Sequence, residues 1–416
     1  MRESWWLVAQ TSGAKIYWVL AMLITSVITA RYLGPEGRGV FVAAVGWVTM
    51  FATFGHLSLG QVIIHIATTA PSDEWLTRVV GSALAILGTA ALIGYAVVLT
   101  GYLATDGGMF HHLTPGVLGV AFAALPFMLW IENGNGILMA IDRLPVMNLA
   151  QAAGATATLL LTFAALGVFH LRVRGALGAL LIAQALTVAI SAGYLLRRTG
   201  RLVVARESVR RLLHGGAQLH LNAIGTYLFT QANVLILNHF RSAGETAYYQ
   251  LAVQLMTGLQ IIPLAVSAVA YSLVAKHGPD QAWPKQRRLL LEVLGLVMMI
   301  IVVAYFAAPT VVGIIFGRDF LPAVPLLRIL LIGAIGMTIS IVMASQWIAR
   351  GLFLQAAMTT LAIGVATVVL NYLVVPRYGM FGAAWVTVGT YVVTMLVNVA
   401  MAVWVERISR RRAANP

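Results

Sequence analysis

The chain has 416 residues, of which 60% are hydrophobic and only 10% charged; a soluble domain carries roughly a quarter charged residues, so a water-soluble fold is excluded. The net charge of +14 raises nucleic acid as a partner, but the basic residues lie between the apolar runs, as in cytoplasmic loops of a membrane protein, and nucleic-acid binding is set aside. The absence of cysteine excludes disulfides, thiolate metal sites and a cysteine nucleophile.

Apolar stretches of about 20 residues, enough to cross a hydrocarbon core of ~30 Å, recur along the whole chain. They are continuously apolar rather than alternating, which predicts helices and not a β-barrel. The N-terminus MRESWWLVAQTSGAK has no small-residue cleavage site, so the first run is read as retained.

The first half reads as spans at 13–33, 39–67, 77–100, 116–141, 146–169 and 175–196. Lys15 opens the first span, placed either to offset an anionic substrate or to snorkel to the interface. ARYLGPEGRGVF (30–41) separates the first two spans. Gly34, Pro35 and Gly37 predict a tight turn there, with Arg31, Glu36 and Arg38 at headgroup level. The second span carries His56 and His65, each a cavity or a packing residue. In the fourth, LWIENGNGILMA (129–140) holds Glu132 and Asn133; Glu132 is the only acid well inside a span and too deep for easy snorkelling. Pro126, Pro263 and Pro309 are candidate bending points.

RRTGRLVVARESVRRLLH (197–214) is the longest linker and divides the chain into lobes at 1–196 and 215–416. The second lobe reads as spans at 215–240, 246–275, 289–316, 322–348, 354–375 and 379–405, ending in a short basic tail. Its first two spans carry Asn222, Gln231, Asn233, Gln250 and Gln254, either substrate-facing or hydrogen-bonded between helices. His220 also falls within a span, and Arg328 lies about two turns into the tenth.

Orientation follows from the basic residues. With the N-terminus cytoplasmic, nineteen of the 27 Lys and Arg fall on that side, seven on the other, and Arg328 within a span. Both termini are therefore expected inside. The halves look related: EGRGVFVAAV (36–45) parallels GETAYYQLAV (244–253), IDR (141–143) parallels IAR (348–350), and RGALGALL (174–181) parallels YGMFGAAW (378–385). Six spans per half make the repeats parallel. The fold expected is an all-α integral membrane protein of about twelve transmembrane helices, in two six-helix lobes around a central cavity, the architecture of an alternating-access transporter.

The turn at 30–41, the following FGHLSLGQVIIHIAT (54–68), FGRDFLPAVPLLRIL (316–330) and LNYLVVPRYGMFGAAW (370–385) together resemble the polysaccharide exporters, or lipid-linked oligosaccharide flippases, of the multidrug/oligosaccharidyl-lipid/polysaccharide (MOP) superfamily. The resemblance implies a flippase that moves a polyprenyl-diphosphate-linked oligosaccharide from the inner to the outer leaflet of the inner membrane. Its partners would be that lipid-linked oligosaccharide, membrane lipids and a polysaccharide polymerase or export machinery. Two positions depart from the family pattern: His65 stands where an arginine is common, and Asn233 where many members have an acid. A cation-coupled multidrug antiporter of the same superfamily is the alternative, but such a pump needs several membrane carboxylates. An enzyme is not expected: the loop at 101–115 offers one acid, Asp106, and its adjacent His111 and His112 are poorly placed to chelate one metal. No phosphate-cradling or zinc-ligand motif is present. No cofactor or metal is expected, and the coupling ion, H⁺ or Na⁺, is left open.

Overall fold

The computed structural model describes the backbone of residues 2–67 and 72–414, and the side chains of 17–67, 72–217 and 219–407. Among these residues the chain is helical with no strand. The principal helices are α1 (Arg2–Gly55), α2 (Leu59–Ile66), α3 (Asp73–Ala104), α4 (Pro115–Phe122), α5 (Leu125–Ala140), α6 (Leu144–Phe163), α7 (Arg172–Thr199), α8 (Arg206–Thr230), α9 (Ala232–Phe240), α10 (Ala243–Gly258), α11 (Ile261–Ile315), α12 (Ala323–Ala349) and α13 (Phe353–Ala414).

Eight stretches of the described residues are long and apolar enough to cross a membrane. The twelve expected spans are not recovered one for one, and the reason is local. α1, α11 and α13 each run through a glycine of positive φ, at Gly34 (64°), Gly278 (76°) and Gly379 (56°), so that two predicted spans follow one another without a loop. Gly34 combines its positive φ with an extended ψ of −178°, a conformation open in practice only to glycine. Pro35 then opens the next helix where its missing N–H costs nothing, and Gly278 is likewise followed by Pro279. The seventh and eighth predicted spans are instead broken, between α8 and α9 at Gln231 and between α10 and α11 at Leu259 and Gln260. The fourth breaks between α4 and α5, at Ala123 and Ala124.

The chain forms two compact units, Met1–Ile224 and Gly225–Pro416. The division lies within α8. The expected linker is partly fixed: the Val203 carbonyl lies so close to Gly81 that a Cβ there would sit 2.5 Å from it, and the Ala205 N–H donates to Ser82 Oγ (3.2 Å). α8 then begins inside the predicted linker. Its Gly216 abuts the Leu57 carbonyl of the first unit, and its Gly225 abuts Leu361 of the second.

In the first unit α1, α6 and α7 pack together, and α2 lies on α5. In the second, Trp283, Val293 and Val297 of α11 join Val342 and Met343 of α12 and Met401 and Val405 of α13 in one buried cluster. The outward faces stay apolar: Phe306 is 72% exposed and Leu103 70%. Such surface is costly in water and suited to lipid, so this is a multi-pass membrane protein.

Candidate functional site

The break in the second span sets the main polar site of the first unit. α1 ends at Gly55, and the chain crosses to α2 through His56, Leu57 and Ser58. Leu57 and Ser58 both take left-handed backbone angles, with φ of 49° and 51°, which non-glycine residues adopt only when their surroundings hold them. Here side chains hold them. The Ser58 N–H donates to His56 Nδ1 at 2.9 Å. Ser58 Oγ lies 3.3 Å from His220 Nδ1, and His220 Nε2 lies 3.0 Å from the Phe54 carbonyl. The two imidazoles meet edge to face, 5.2 Å between centroids.

Beyond the break, Asn133 clamps α2 to α5. Its Oδ1 accepts from the Gly60 N–H (2.8 Å), the otherwise unpaired donor of a helix start, and its Nδ2 donates to the Leu129 carbonyl (2.9 Å). The helices approach so closely that a Cβ at Gly136 would fall 2.4 Å from Gly60 Cα. Asn133 is therefore a buried interhelical bond. Glu132 beside it is exposed, as are His65 and Asn222; His56 is half-buried. The Lys15 side chain lies outside the described residues.

The second unit gathers its polar groups in a neutral network. Asn233 on α9 donates to Tyr249 OH (3.1 Å) on α10 and to Thr387 Oγ1 (3.0 Å) on α13, and accepts from Asn371 Nδ2 (2.9 Å), also on α13. Tyr249 and Thr387 bond each other at 2.8 Å. All four are buried. Gln231 is exposed at the break before α9, whereas Gln250 and Gln254, one turn apart on α10, are half-buried.

Arg328 has a structural partner that explains its presence within a span. Pro309 lacks the N–H that would bond the Tyr305 carbonyl one turn earlier. Arg328 Nε donates to that carbonyl at 3.2 Å, and its guanidinium lies 4.6 Å from the Tyr305 ring centroid. No non-helical backbone angle accompanies Pro309. Pro126 and Pro263 sit instead in the first turns of α5 and α11, directly after the breaks described above.

One expectation is corrected. Arg38 does not stay at headgroup level with Arg31 and Glu36: it is 2% exposed and donates to Ser26 Oγ at 2.7 Å. Four residues later than the tight glycine, its side chain is carried inward by the helix that Pro35 starts, and Ser26 on the preceding span receives it. Sequence reading also passed over Ser58, Tyr249, Asn371 and Thr387. A single hydroxyl or amide in an apolar run carries no signal by itself; only its distant partner gives it a role.

Taken together, the buried polar groups among the described residues are hydroxyls, amides, His220 and Arg38, with no Asp or Glu.

The family model described as "Polysaccharide biosynthesis protein" matches residues 4–276. The "Putative O-antigen transporter" of Shigella flexneri is 22% identical over 368 residues, covering 85% of this chain and 87% of its own length. Among solved structures, a multidrug resistance MATE family transporter of the MOP superfamily, inward-facing, matches with a TM-score of 0.76 at 16% identity over 96% of both chains. The lipid II flippase MurJ, in an inward closed conformation, matches with 0.77 at 13% identity over 94% of this chain and 87% of its own. The chain thus belongs to the polysaccharide biosynthesis protein family and has the all-helical fold of MOP superfamily transporters.

Proposed function

We propose that the protein is an alternating-access flippase that carries a polyprenyl-diphosphate-linked oligosaccharide, such as an O-antigen, capsule or exopolysaccharide repeat unit, from the cytoplasmic to the outer leaflet of the inner membrane. Both termini lie in the cytoplasm in this reading. The carrying observation is the family match over residues 4–276, and the relative whose name is "Putative O-antigen transporter", matched over 87% of its length, points the same way. The fold alone does not separate flippase from multidrug antiporter, because the two solved structures match with TM-scores of 0.77 and 0.76. The sequence does lean: the spans hold one deep acid, Glu132, against several basic or histidine positions, which disfavours recognition of organic cations and suits an anionic, sugar-bearing headgroup. A polysaccharide polymerase or export assembly would receive the product.

Deleting the protein from its host tests this. Polyprenyl-linked repeat units are expected to accumulate on the cytoplasmic leaflet, and surface polysaccharide to fall. Unchanged surface polysaccharide with raised sensitivity to cationic dyes would instead establish the antiporter.

A further inference from the structure

The cluster at the break in the second span has a property the family reading does not use: its hydrogen bonds fix where a proton can go. The Ser58 N–H can only donate, so His56 Nδ1 is the acceptor and carries no proton. The Phe54 carbonyl can only accept, so His220 Nε2 carries the hydrogen. His220 Nδ1 is then left facing Ser58 Oγ, an atom that can either donate or accept. His56 cannot gain a proton on Nδ1 without expelling the N–H that holds the left-handed Ser58. His220 can gain one on Nδ1, because the Ser58 hydroxyl turns and accepts it.

The surrounding elements supply no competing charge. α2 brings His65, which is exposed; α5, packed on α2, brings Glu132, also exposed, with only its backbone carbonyl beside Gly60; α8 brings His214, six residues before His220. Neither imidazole of the pair has a carboxylate partner among the described residues. A charge on one ring opposes a second charge on its neighbour, so the pair titrates as a unit.

We propose that His56, Ser58 and His220 form a single-proton site, in which the proton binds His220 Nδ1, the Ser58 hydroxyl reverses from donor to acceptor, and neutral His56 keeps the break in the second span closed. The proton comes from bulk water and returns to it; no other bond is made or broken. The site sits where it can matter. His220 is on α8, the helix within which the chain passes from the first compact unit to the second, while His56 and Ser58 form the break in the second span. The proton state therefore alters the bond between a broken span and the connecting helix. As the coupling step of transport, this rests on the flippase reading above.

The test has two arms. Isotope-labelled histidine spectra of the full chain in lipid nanodiscs, titrated across the range where imidazoles charge, are expected to show the His56 and His220 signals moving together with uptake of one proton; independent uptake of two would overturn the site. In proteoliposomes loaded with lipid-linked oligosaccharide, an imposed pH difference is expected to change the flipping rate of the wild type and of His111→Gln, a loop control. His220→Gln keeps a donor for the Phe54 carbonyl but cannot charge, and its rate is expected to lose that response. A retained response in His220→Gln, or none in the wild type while it flips, overturns the inference and leaves the flippase standing. No flipping by the wild type sinks the functional reading, and a variant that does not fold removes only its own arm. In either case the wild-type titration alone decides whether the proton site exists.

Discussion

Two helix starts in the molecule begin alike and are secured differently. In the first unit, SDEW (72–75) opens α3: Ser72 caps the Trp75 N–H at 3.1 Å, and Asp73 pairs with Arg198 of α7 at 3.2 Å. In the second, PDQAW (279–283) opens the later part of α11: Asp280 pairs with Arg350, directly after α12, at 2.5 Å. Both acids sit at a helix N-terminus, where the helix dipole favours them. The difference is burial. The Arg198 and Asp73 side chains are 31% and 71% exposed, those of Arg350 and Asp280 only 9% and 17%.

Burial in the second case comes with a shell of partners. Gln286, fully buried, donates to the Val342 carbonyl (2.9 Å) and to Ser345 Oγ (3.0 Å) and accepts from Gln346 (2.6 Å). Gln346 in turn bonds the Pro279 carbonyl and accepts from Arg350 Nε. Trp283 Nε1 and Arg287 both donate to Glu406 of α13, and Arg350 lies over the Trp404 ring. One corner thus ties α11, α12 and α13 together, whereas the pair in the first unit is a surface contact. The same motif therefore says little about energy until its surroundings are known.

The comparison can be broken or sharpened by four substitutions or conditions, all read by unfolding in detergent. Arg350→Met should be the most damaging, costing about 3 kcal/mol, because it removes the cation paired with Asp280 in a partly buried site. If it costs less than Asp73→Asn, the contrast drawn here is wrong. Gln286→Leu should cost about 1–2 kcal/mol by removing one of the two acceptors of the Gln346 amide and the donor to the Val342 carbonyl and Ser345 Oγ. Asp73→Asn should change stability by less than about 0.5 kcal/mol, as exposed pairs do. Raising salt from low to physiological strength should have the smallest effect. It should weaken what the Asp73 pair contributes while leaving the Asp280 corner nearly unchanged, since screening acts mainly on exposed charges.

Much of the fold was legible from residues alone. The spans followed from apolar length, and the turn at 30–41 followed from Gly34 and Pro35. Pro126 and Pro263 fall in first turns after breaks, where a missing N–H is harmless, but Pro309 lies in a continuous helix because Arg328 satisfies the carbonyl it frees. Polar roles were less legible. Asn133 was a candidate for substrate contact and Asn233 for substrate contact or helix packing, and the structure uses each as a buried interhelical bond. Arg38 was misplaced because a turn that ends at Gly37 leaves the direction of the following side chain to the packing of two helices.

By itself the sequence determined that this chain lives in a membrane as helices and that it turns sharply at 30–41, because both properties are local: hydrophobic length against bilayer thickness, and a backbone angle at Gly34 open in practice only to glycine. Only the tertiary structure decided which polar atoms meet. Ser58 finds His220 at a separation of 162 residues and Asn233 finds Thr387 at 154. In an apolar medium each such group must find a partner, but nothing near it in the chain says which one.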